Sequence, residues 1–214
     1  VIRPILRGRD IKKYSFSYAD LWLISLFPSR HYNIDDYPAI KRHLLSFGME
    51  RLEQTGRVYS INGQNIRARK KTNNKWYETQ DSISYWDDFS KQKIVYREIS
   101  EEMDACIIDE EVYVNNKCYI ITGEHLEYLI CVLNSKLFNK IILQSANQTG
   151  GKGRDFLEKI HIPFRDNDMV LADLYRNLIT TPSPDRFVLL KKIDAAVNKL
   201  YNLTKEEIDY IDNL

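Results

Sequence analysis

Five basic residues lie close together at Arg67, Arg69, Lys70, Lys71 and Lys75, beside Trp76 and Tyr77. Arg and Lys donate hydrogen bonds to base edges, and they also neutralise phosphate, which needs only positive charge. A solvated basic loop would have the same composition. A second group lies in a polar, Gly-rich stretch that follows a helix, Asn147, Gln148, Thr149, Gly150, Gly151, Lys152, Gly153 and Arg154. Its glycines expose backbone N–H groups that approach an anion closely, and Asn147 and Gln148 are base-reading types. A flexible connector reads the same way. A third group is the turn Arg7-Gly8-Arg9-Asp10, where Asp10 is placed to pair with either arginine and make the turn structural.

Other chemistry is poorly represented. The four histidines (His31, His43, His125, His161) are scattered, without metal-ligand spacing among themselves or with the cysteines. Cys106, Cys118 and Cys131 are odd in number and sit in apolar contexts. They read as buried free thiols, which fits a reducing cytoplasm. Asp109-Glu110-Glu111 and Asp87-Asp88 read as solvated acidic turns. No metal site is assigned.

Total charge excludes little, with 31 Lys+Arg against 30 Asp+Glu. Its distribution is less even: residues 1–100 hold 18 basic and 11 acidic side chains, and residues 101–145 hold 3 and 8. A neutral total can therefore hide one basic face. No run approaches the roughly 18 apolar residues of a membrane span, and no stretch of the given sequence reads as a signal peptide. The chain opens at Val1, which reads as a segment of a longer protein.

The elements that must position these groups follow from periodicity. Leu21 to Phe27 reads as a buried strand. A helix opens at Tyr37-Pro38 with a stripe of Ile40, Leu44, Leu45, Met49 and Leu52, and stops near Gly56. Residues 57–82 lack a clean period and read as a long loop. Short strands follow at 93–99, 105–108, 112–114 and 118–122, with Asn115-Asn116 as a hairpin turn. A tight turn at Thr122-Gly123 leads to a helix with Leu126, Leu129, Ile130, Leu133 and Leu137 on one face. His161 to Phe164 is a short extended piece. Beyond it the chain reads as all-helical. Asp168 to Ile179 is one helix, broken by Thr181-Pro-Ser-Pro184. A longer one carries Leu189, Leu190, Ile193, Val197 and Leu200, a stripe that packs on the module or docks a partner. A terminal helix is capped by Thr204 and Glu207. The expectation is an α+β fold: a small twisted mixed sheet flanked by helices over 1–164, then a helical segment over 165–214.

Seven stretches occur in an order that resembles a known family: Arg7-Gly-Arg-Asp-Ile11, Tyr37-Pro-Ala-Ile40, Trp76-Tyr-Glu78, Lys93-Ile-Val-Tyr96, Glu98-Ile-Ser100, Cys118-Tyr-Ile-Ile-Thr-Gly123 and Leu133-Asn-Ser-Lys-Leu-Phe138. Together they resemble the TaqI-like C-terminal specificity domain, the target-recognition part of adenine-specific DNA methyltransferases and of fused restriction–modification enzymes. The resemblance covers roughly residues 3–164. It implies a bacterial parent protein, of restriction–modification or phage-defence type, with an upstream methyltransferase domain using S-adenosylmethionine. This segment then binds double-stranded DNA and selects the sequence, without a cofactor or catalytic residue of its own. The parent is the enzyme, with or without a fused endonuclease. The resemblance makes Arg7, Arg9, Arg67, Arg69, Lys70, Lys71, Lys75, Asn147, Gln148, Lys152 and Arg154 the DNA-contact candidates. The rival reading is a protein–protein docking module of the same complex that reads no bases. The chain itself lacks an Asn/Asp-Pro-Pro-Tyr/Phe motif, and contains no Pro-Pro pair.

Overall fold

A computed structural model describes residues 1–98, 102–149, 157–164 and 169–213, with backbone alone over 143–149. In chain order the strands are β1 (Ile2–Leu6), β2 (Ile11–Lys12), β3 (Ser15–Phe16), β4 (Trp22–Ile24), β5 (Val58–Ile61), β6 (Gln64–Arg67), β7 (Lys93–Arg97), β8 (Ala105–Ile108), β9 (Tyr113–Val114) and β10 (Cys118–Ile121). The α-helices are α1 (Pro38–Leu45), α2 (Met49–Leu52), α3 (Leu126–Leu133), α4 (Lys136–Thr149), α5 (Val170–Thr180), α6 (Arg186–Leu200) and α7 (Lys205–Asp212). The fold is α+β, as expected, with its strands spread over several small sheets rather than one mixed sheet.

Two compact units are formed: Val1–Arg3 with Trp22–Trp86, and Pro4–Leu21 with Asp87–Leu214. This division does not follow the expected boundary at 164/165. In the second unit Leu171, Leu178, Ile193 and Val197 of the C-terminal helices complete the same buried cluster as Ile130, Leu133 and Phe138.

In the first unit, Leu26, Ile34, Ile40 and Tyr77 form the core, with Ile24, Tyr37, Leu44 and Trp76 packed on it. Pro38 sits in the first turn of α1, where its missing N–H costs nothing. The helix expected to run to Leu52 is interrupted, because Gly48 has φ +88°, a conformation that leaves the helix before α2 resumes at Met49. The segment expected to be a long loop begins instead with a hairpin. β5 and β6 pair antiparallel, from Val58 opposite Arg67 to Ile61 opposite Gln64. Asn62 (φ 49°) and Gly63 (φ 77°) supply the two positive φ values that a two-residue hairpin turn requires.

In the second unit, β7 is the centre of an antiparallel sheet ordered β10-β7-β8. Alternation along β7 splits the core: Ile94 and Tyr96 face the helices, while Val95 faces a smaller cluster with Leu6, Ile11, Cys106, Ile108 and Val112. The Asn115-Asn116 turn exists, with the Cys118 N–H bonded to the Asn115 carbonyl at 3.0 Å. It does not close a hairpin. β9 pairs parallel with the end of β1, Ile5 opposite Tyr113, and β10 crosses to pair with β7. Asn134 and Ser135 separate α3 from α4. The Asn134 amide donates to the Ala105 carbonyl at 2.9 Å, and the Ser135 hydroxyl accepts the Phe138 N–H at 3.1 Å. All three cysteines are free. Burial pushes the Cys106, Cys118 and Cys131 thiols up to about 12, which keeps them protonated and inert at neutral pH.

Candidate nucleic-acid interface

The basic cluster of the first unit is built on a network of side chains that fold the chain after β6 into a fixed path. Arg69 is its centre. Its guanidinium turns inward and donates to the Leu52 carbonyl (2.9 Å), the Glu78 carbonyl (2.8 Å) and the Trp76 carbonyl. Desolvation lowers its pKa from the ordinary guanidinium value, though not enough to discharge a group of this basicity. Gln54, buried, donates to the Lys75 and Glu78 carbonyls and accepts from the Thr72 hydroxyl at 2.6 Å. Asn74 donates to the Thr79 and Gln80 carbonyls. The Glu78 carboxylate accepts the Lys75 N–H at 2.7 Å. Tyr77 is buried, and its hydroxyl donates to the Tyr32 carbonyl at 3.0 Å.

This scaffold leaves Arg67, Lys70, Lys71 and Lys75 exposed. Among the described residues no carboxylate forms an ion pair with any of the four. Lys75 leans on the Tyr77 ring, 5.6 Å from its centroid. Arg57, exposed at the start of the hairpin and not anticipated from the sequence, joins this set. Residues 54–77 contain six Lys/Arg and no Asp/Glu. The first unit as a whole carries 11 basic against 6 acidic side chains, and the second 20 against 24. The hidden basic excess therefore belongs to the first unit. Arg69, one of the expected contact residues, anchors the loop, with three of its N–H groups bonded to the protein.

The second unit holds a smaller basic site. Arg7, Gly8, Arg9, Arg97, Asn115 and Lys117 line a cavity of about 330 Å³. The sequence brought Arg7 and Arg9 to attention but not Arg97 or Lys117, which lie far along the chain on β7 and before β10. Most of this charge is already compensated. Arg7 grips Asp10 through Nε (2.9 Å) and Nη2 (2.8 Å), Arg97 pairs with Asp104 at 2.6 Å, and Lys117 with Glu98 at 3.1 Å. The Arg7 guanidinium holds the Asp10 carboxyl below its usual range. Gly8 is required by packing, since a Cβ there would lie 3.0 Å from the Lys117 carbonyl oxygen. The turn is thus structural through Arg7, and Arg9 alone of the pair stands exposed, with no ion-pair partner among the described residues.

The third candidate group is only partly described. Asn147 and Gln148 belong to the last turn of α4 rather than to a loop. Their side chains, and Lys152 and Arg154 entirely, lie outside the described residues. No group of three or more His, Cys, Asp or Glu side chains that could hold a metal ion occurs among the described residues. No helix there is long and apolar enough to cross a membrane.

Fold and surface together define a class: an α+β module with a basic, donor-rich hairpin and loop exposed on its first unit. The particular family is shown by comparison. The chain belongs to the TaqI-like C-terminal specificity domain family, whose model matches residues 3–162. These are DNA-recognition domains associated with methyltransferases. None of the curated proteins compared with the chain matches it.

Two of the stretches that carry the resemblance serve as scaffold. Lys93 is fully buried, its ammonium donating to the Phe89 (2.8 Å), Lys91 (3.1 Å) and Glu110 (2.9 Å) carbonyls. Trp76-Tyr77-Glu78 supplies the carbonyls, the core ring and the carboxylate of the Arg69 network. The signal that could have found the hairpin was Asn62-Gly63, a turn pair flanked by alternating Tyr59, Ile61 and Ile66.

Proposed function

We propose that this chain selects the duplex DNA sequence for an adenine-specific methyltransferase, of bacterial restriction–modification or phage-defence type. The S-adenosylmethionine-dependent domain lies upstream in the parent protein, which either carries a fused endonuclease or does not. The chain contributes binding and register, and no chemistry. The observation that carries this reading is the acid-free segment 54–77, whose exposed cations stand on a rigid scaffold inside the family-matched region.

The division of labour follows from physics. Lys70, Lys71 and Lys75 neutralise phosphates and fix the position of the duplex, which adds affinity without sequence information. The catalytic domain then extrudes the adenine, at a cost of a few kcal/mol that tight positioning of the flanking duplex offsets. Arg9 adds a separate phosphate contact from the second unit.

Fluorescence anisotropy of the chain with duplex DNA, at low and at moderate salt, tests the reading. Binding that weakens steeply with salt is the expected result. Absence of binding even at low salt, in the chain and in its intact parent, would favour docking to protein instead.

A further inference from the structure

We infer that the β5–β6 hairpin is the base-reading element, a two-stranded ribbon that enters the major groove with Asn65 and Arg67 facing the base edges. This deepens the DNA-selecting role proposed above and rests on it.

The hairpin has two unlike faces. Tyr59 and Ile66 oppose each other on the inner face, and the Tyr59 hydroxyl donates to the Glu53 carboxylate at 2.5 Å, which ties the ribbon to the end of α2. Alternation then places Val58, Ser60, Asn65 and Arg67 together on the outer face, and all four are exposed. Among the described residues, no hydrogen bond or ion pair engages the Asn65 or Arg67 side chain. Unengaged Asn and Arg on one rigid face are the two side chains best matched to adenine and guanine edges, each through paired hydrogen bonds.

Size decides the groove. Two strands lie about 4.8 Å apart, and with their side chains they fill a groove about 12 Å wide but not one about 6 Å wide. Lys71 lies at the foot of the ribbon, its backbone N 3.5 Å from where a Cβ on Gly56 would stand. Lys70 and Lys71 thus sit where the phosphates flanking the groove would pass. Asn65 and Arg67 are two positions apart on one strand, about 7 Å, or roughly two base-pair steps at about 3.4 Å each. The preferred site should therefore contain a guanine and an adenine within about two base pairs of each other.

The experiment is selection of the chain on a randomised duplex pool, with the bound fraction sequenced, for the parent and for Asn65→Ala, Arg67→Lys and Lys70→Ala/Lys71→Ala. Parent binding should enrich a motif. Asn65→Ala should relax an adenine and Arg67→Lys a guanine, each reducing discrimination roughly 5- to 150-fold, with the rest of the motif kept. Arg67→Lys preserves charge, so its affinity for random duplex should hold. The double lysine variant should lose affinity for all sequences alike. Unchanged motifs in both Asn65→Ala and Arg67→Lys, or duplex binding by the parent with no enrichment, overturn the ribbon while leaving DNA binding intact. No binding at low salt, by the unsubstituted chain and by its intact parent protein alike, removes the underlying reading as well. All four substituted side chains are exposed and bonded to nothing described, and circular dichroism of each variant confirms the fold.

Discussion

Arg67 and Arg69 are two positions apart and do opposite work. Arg67 stands exposed, while Arg69 holds three main-chain carbonyls inside the loop, one of which, that of Glu78, it shares with the Gln54 amide. Removing a charged donor from buried acceptors costs about 2–3 kcal/mol, whereas an exposed, unpartnered side chain costs within about 0.5 kcal/mol. Arg69→Ala should therefore destabilise the first unit, and Arg67→Ala should not. All three tryptophans, Trp22, Trp76 and Trp86, belong to that unit, so intrinsic fluorescence during urea denaturation reports it selectively. Equal midpoints for the two variants would contradict the assignment. In the second unit, Asp10 links stability to pH. Its folded-state pKa is lowered, chiefly by the Arg7 hydrogen bonds, so its contribution is present above the ordinary carboxylate value near 4 and fades as pH falls through the lowered value. Asp10→Asn should melt below the parent at neutral pH, and the gap should narrow in acid. A gap independent of pH would show that the carboxylate's charge is not what matters.

At the scale of elements, legibility tracked how local the cause was. The capping box of α7 was readable because Thr204 and Glu207 bond each other's main-chain N–H groups, at 3.3 and 2.7 Å, within one turn. The break after α5 was readable from Pro182 and Pro184. The β5–β6 hairpin was not read, because its outer face is polar or exposed throughout and only Tyr59, Ile61 and Ile66 mark the inner one. The parallel pairing of β1 with β9 joins residues more than 100 positions apart and leaves no local trace. Nor does composition distinguish an inward Arg69 from an outward Arg67, since the difference lies in which carbonyls surround each. The turn at Asn62-Gly63 makes the hairpin testable as an element. An L residue at the Gly63 φ of 77° costs about 1 kcal/mol, and no atom crowds the position. Gly63→Ala should speed amide exchange across 58–67 by roughly 5-fold while leaving β7 and β8 protected. Unchanged exchange would mean that packing on Tyr59, rather than the turn, sets the stability of the ribbon.

At the scale of the whole molecule, net charge is a poor guide to what the surface does. A duplex does not respond to a total of +1; it responds within a Debye length, about 8 Å at physiological salt, to the first unit's excess of 11 basic over 6 acidic side chains. The second unit, with 20 against 24 and with Arg7, Arg97 and Lys117 already paired, cannot supply an attraction of the same size. Counterion release converts this into a number. Each phosphate neutralised adds about −0.9 to the slope of log K against log salt. Lys70→Ala/Lys71→Ala/Lys75→Ala should therefore flatten that slope by up to about 2.7 units, with the Arg69 network and the tryptophan-monitored midpoint preserved. Arg9→Ala should flatten it by no more than about 0.9. Anisotropy titrations between roughly 50 and 200 mM salt resolve the two. If the triple variant kept the parent slope and Arg9→Ala abolished it, the interface would belong to the second unit, and the basic excess of the first would be only a solvated surface.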